Sequence, residues 1–171
     1  MSLDARIEFS TYITASQWTQ FLQMDPTARR IVGESDPSLL RTNGFADLRH
    51  FSDRCQTLGL PPSEHIHANS AAALLYRNPP TSGGYGDDHF AVLEVAKAAQ
   101  HRFGGDLQVA LAPDCYWFTL ISGRYSIDSK ALVNLWADPE APVDPRPAYI
   151  RRLRSIWSAG GSETSGAADG N

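Results

Sequence analysis

Between Phe90 and Phe103 the apolar residues recur at helical spacing. Phe90, Leu93, Ala96, Ala99 and Phe103, with Val92 and Val95 alongside, share one face. Asp87 or Asp88 ahead of them can N-cap that helix, because a short side-chain oxygen satisfies a free N–H of the first turn. Gly104-Gly105 stops it, glycine being the residue that accepts the left-handed conformation just past a helix end. The pattern then changes to apolar runs, Leu107 to Ala112, Cys115 to Ile121 and Tyr125 to Ile127, punctuated by Pro113-Asp114 and Ser122-Gly123. These read as strands. The breaks between them are too short for crossovers, so hairpins and a mainly antiparallel sheet follow. Side chains alternate along a strand, so Trp117 and Phe118 are expected on opposite faces.

Upstream, Ile7 to Ile13 alternates well enough for a strand. Thr14 or Ser16 can cap a following helix whose stripe is Trp18, Phe21 and Leu22, with Met24 as an optional fourth member. Asp25-Pro26 is either a break or the start of a second short helix reaching Ile31-Val32. Gly33 to Asn43 is polar, contains Pro37 and reads as a loop. Phe45, Leu48, Phe51, Cys55 and Leu58 give another helical stripe, closed by Gly59 and Pro61-Pro62. Ile66 to Tyr76 is ambiguous. Alanine and leucine favour helix, yet the segment is short and follows two prolines, and strand is the preferred reading. Asn78 to Gly86 is a Gly/Pro-rich loop. Ser129 can cap a short helix with Ala131, Leu132, Leu135 and Trp136, and a proline-rich connector runs from Asp138 to Pro147. Tyr149, Ile150, Leu153, Ile156 and Trp157 make the apolar stripe of a last helix, with Arg151, Arg152 and Arg154 on its solvent side.

The pattern as a whole predicts an α+β fold, a mainly antiparallel sheet with helices packed on one face. The 171 residues suit a single domain, placed at residues 1–158, followed by a disordered tail at 159–171 with nothing to bury. With 42% apolar and 20% charged residues the composition is that of a globular chain. A net charge of −4 argues against phosphate neutralisation as a mode of binding. No stretch approaches a transmembrane span, no signal peptide is evident at the N-terminus, and Cys55 and Cys115 form no CxxC motif. Buried free thiols in a reducing cytoplasm are the expectation.

Candidate chemistry is sparse. In a strand, His65 and His67 would point to one face; with His89 and Asp87 or Asp88 they outline a zinc- or iron-type ligand set and hence a small metal-dependent enzyme. Against this, a long loop separates the sites, no helical HExxH is present, and histidines of surface or loop type are commoner. Gly83-Gly84-Tyr85-Gly86 lacks the ending of a phosphate loop, and Asp87-Asp88 would repel phosphate. Cys115, His101 and Asp114 can be assembled as a nucleophilic set only on paper. The arginines at 151, 152 and 154, with Arg146 nearby, read as a solvated helix face rather than a nucleic-acid surface. The stretch around the Asn78 to His89 loop presents Tyr76, Tyr85, Asp87, Asp88 and His89 near glycine hinges. Tyrosine with acid is a protein-recognition chemistry, an aromatic anchor beside charges that steer a basic partner. The competing explanation is a solvent loop with a helix cap.

The order of elements, the Tyr116-Trp117-Phe118 strand and Leu135-Trp136 after it resemble the small immunity proteins of bacterial polymorphic-toxin systems, in particular the immunity protein fifty-two family, over roughly Ile7 to Trp157. The resemblance implies a cytoplasmic, non-catalytic protein without cofactor. Its partner would be a co-encoded toxin effector, of restriction-endonuclease type and exported by type VI secretion, rather than nucleic acid or membrane. It carries over no binding residue. A non-inhibitory adaptor module is a further alternative.

Overall fold

The computed structural model describes residues 4–35, 37–50, 66–77, 88–111, 115–128, 142–143, 146–158 and 162–163. Its elements run β1 (Asp4–Phe9), α1 (Ala15–Met24), α2 (Pro26–Ile31), β2 (Leu40–Asp47), β3 (Ser70–Tyr76), α3 (Asp88–Phe103), β4 (Leu107–Leu111), β5 (Cys115–Ile121), β6 (Arg124–Ile127), α4 (Arg146–Trp157) and β7 (Ser162–Glu163). The sheet order is β2-β3-β1-β4-β5-β6-β7. The first six strands pair antiparallel, and the two-residue β7 lies parallel to β6. The chain is α+β, with a six-stranded antiparallel sheet and four described helices.

Local sequence explains most of these elements. Thr14 and Gln17 form a capping box, the Thr14 side chain accepting from Gln17 N at 3.1 Å and Gln17 Oε1 accepting from Thr14 N at 2.9 Å. Asp25 caps α2 through Ala28 N at 2.9 Å, and Pro26 takes the first helical position, where its missing N–H costs nothing. Past α3, Gly104 and Gly105 take φ of 69° and 78°. The two C-terminal hairpins form as expected, with β5 paired to both β4 and β6.

The core lies between the sheet and the helices. The register sets Ile7 opposite Ala72 and Val109, and Phe9 opposite Ser70 and Leu107, so alternate residues of the central strands share one face. Trp18 of α1 meets Phe9 at 5.8 Å and stacks on Phe45 at 5.7 Å, and Trp157 of α4 meets Phe118 at 4.7 Å, which puts these helices over that same face. The sequence assigns α3 one apolar stripe. In the fold it is enclosed on several sides, with Val92, Leu93, Val95, Ala96 and Ala99 all at 1% exposure or less, because α2 and α4 flank it.

Four expectations are corrected. The first strand is Asp4–Phe9, not Ile7 to Ile13; Ser10 turns away as its N–H goes to Asp106 O at 3.0 Å, while Ile13 reaches the core from the connection. Leu40–Asp47, assigned partly to a loop and partly to a helix at Phe45, is the terminal strand β2; Arg49 and His50 are helical, and Phe51, Cys55 and Leu58 lie outside the described residues. Trp117 and Phe118 face the same side. Between Val109 and Ala110 the β4–β5 register shifts, pairing Val109 with Phe118 and Ala110 with Tyr116, so Trp117 is the extra residue of a β-bulge and swings in beside Phe118. Finally, Ser162–Glu163, in the stretch expected to lack structure, pair with Arg124 and Tyr125. The helix expected after Ser129 lies outside the described residues.

Candidate functional site

His89 sits in the first turn of α3 and none of its surface is exposed. Four elements bring aromatic rings together there. Tyr76, the last residue of β3, lies 5.3 Å from His89 between ring centroids; Trp117 of β5 meets it edge-to-face at 5.7 Å, and Tyr149 of α4 edge-to-face at 6.1 Å. Phe90 extends the cluster by packing on Tyr149 at 4.7 Å, and the Arg152 guanidinium covers the Phe90 ring at 3.8 Å. The bulge in β5 delivers Trp117 to this place. Burial disfavours the imidazolium and holds the His89 pKa down to about 3, so the ring is neutral at physiological pH.

For Tyr76 and His89 this placement departs from the expected partner surface. Tyr76 and His89 do come together, but inside the core, at 4% and 0% exposure. They pack the junction of β3, α3, β5 and α4 instead of presenting themselves to solvent. Tyr85 and Asp87 lie outside the described residues, as does the side chain of Asp88, which opens α3. Of the histidines proposed as metal ligands, His65 lies outside the described residues and His67 is exposed, whereas His89 is enclosed by rings. Among the described residues no group of three His, Cys, Asp or Glu is placed to hold a metal ion. Cys115 is half-buried, and burial followed by the charge of Asp128 pushes its thiol up, which disfavours a nucleophilic thiolate. Its paper partner His101 is exposed near the end of α3, and Asp114 lies outside the described residues. The Gly83–Gly86 stretch lies there too.

A second constellation carries no motif in the sequence. On the sheet face opposite the helices, Glu8 of β1 stands directly across from Gln108 of β4, whose Nε2 donates to Glu8 Oε2 at 3.2 Å. Arg6 Nε lies 3.5 Å from the same carboxylate, and Arg6 Nη2 donates to the Tyr116 hydroxyl at 3.1 Å. Glu8 and Gln108 are buried. Burial works against the Arg6 charge, but Glu8 and Tyr116 together raise its pKa; the Tyr116 phenol is raised by burial and then by Glu8. This is a polar clamp joining β1, β4 and β5. The signal for it is present in the alternation Arg6-Ile7-Glu8 and Gln108-Val109-Ala110, which puts polar residues on one face of each strand. What the sequence lacks is the pairing of β1 with β4.

At the surface, Asp47 at the end of β2 accepts from Arg49 Nε at 3.1 Å and from Nη2 at 2.8 Å, and the guanidinium lies 3.5 Å above the Tyr12 ring. These hydrogen bonds lower the Asp47 pKa to about 2. Arg151 and Arg152 are exposed on α4, and Arg154 is partly so. No described helix is long and apolar enough to cross a membrane. Comparison of the chain with protein-family models, with curated proteins and with solved structures finds no match.

Proposed function

We propose that this chain is a cytoplasmic, non-catalytic immunity protein that binds and neutralises a co-encoded toxin effector, a nuclease of a type VI secretion system. The observation that supports a binding role is the use the fold makes of His89. Among the described residues His89, a side chain suited to acid–base or ligand chemistry, is a neutral ring packed among Tyr76, Trp117 and Tyr149 in the core. The choice of toxin immunity among binding roles rests on the resemblance in element order and aromatic placement set out above. Mild acidity, at a net charge of −4, favours encounter with a basic nuclease surface.

Within this reading the partner contacts fall to Tyr85 as aromatic anchor and to Asp87 and Asp88 as charged contacts, with the arginine face of α4 as the next surface to examine. The direct test is co-expression with the product of the neighbouring gene. That product should be lethal alone and tolerated when this chain is present. A product that is harmless alone, or lethal in both cases, removes the proposal. Tyr85→Ala and Asp88→Lys should each weaken the complex by more than about tenfold, equivalent to about 1.4 kcal/mol. Thermal stability should stay nearly unchanged, apart from a loss of up to about 1 kcal/mol where Asp88→Lys puts a cation in the first turn of α3. If both variants bind as tightly as the parent, the interface lies elsewhere.

A further inference from the structure

We draw no further inference here: the strongest candidate, the half-exposed Arg49–Asp47–Tyr12 cluster at the end of the terminal strand β2, carries none because nothing in the structure shows what covers it.

Discussion

His89 shows how far one residue's role depends on neighbours distant in sequence. A histidine beside two aspartates after a glycine-rich loop reads as a surface residue. Its enclosure is decided by Trp117 and Tyr149, which reach it from β5 and α4, and no local pattern reveals that meeting. The consequence is measurable. The folded pKa of about 3 lies below the ordinary 6.5, so between those values the unfolded chain binds a proton that the folded chain does not. Stability is therefore complete above the unfolded value and falls as pH drops below it. Urea unfolding at about pH 7.5 and about pH 5 should show the parent losing about 2 kcal/mol more than His89→Phe, which removes the titrating group. Equal losses in the two proteins would show that His89 titrates freely in the folded state. Asp47 acts in a separate window, since its lowered pKa withdraws stability only as pH falls from 3.8 toward about 2.

At the scale of elements, legibility followed burial. The helix α3 and strands β4 and β5 bury apolar runs, β6 buries Tyr125 and Ile127, and their pattern announces them. β2 does not, because as the terminal strand it exposes most of its residues, and Asn43-Gly44 sits at a register shift against β3. Polar residues with a glycine read as loop whether or not they pair. The bulge at Trp117 is invisible for a related reason: side-chain alternation assumes an unbroken ladder. Two glycines test the local account. Both Gly104 and Gly105 have left-handed φ, which costs an alanine about 1–2 kcal/mol. At Gly104 a Cβ would meet open space, while at Gly105 it would collide with Thr11 Oγ1 and Ser10 Oγ. Those hydroxyls are in use, Thr11 donating to Gly104 O at 3.1 Å and Ser10 accepting from Asp106 N at 2.9 Å. In denaturant titrations Gly105→Ala should therefore exceed Gly104→Ala by at least about 1 kcal/mol. Similar losses at both positions would mean that the β1–α1 connection yields easily. Thr14→Ala, which dissolves the capping box of α1, should cost about 1 kcal/mol in the same assay.

For the whole molecule, the sequence suffices for the α+β class and for the C-terminal hairpins, whose short breaks allow little else. The central pairings of β1 with β3 and β4 join segments separated by helices, and with them the Glu8–Gln108 clamp stays hidden until the fold is known. The proposed partner surface is less legible still. Tyr76 and His89, chosen from the sequence as contacts, belong to the core, so their substitution should lower stability as well as any binding. The proposed function requires the chain to recognise and silence a protein partner. A titration of the purified co-encoded effector's activity with this chain tests that requirement. Activity should fall to zero at a fixed molar ratio, with a complex that co-elutes in gel filtration. An effector that keeps full activity in an excess of this chain would contradict it.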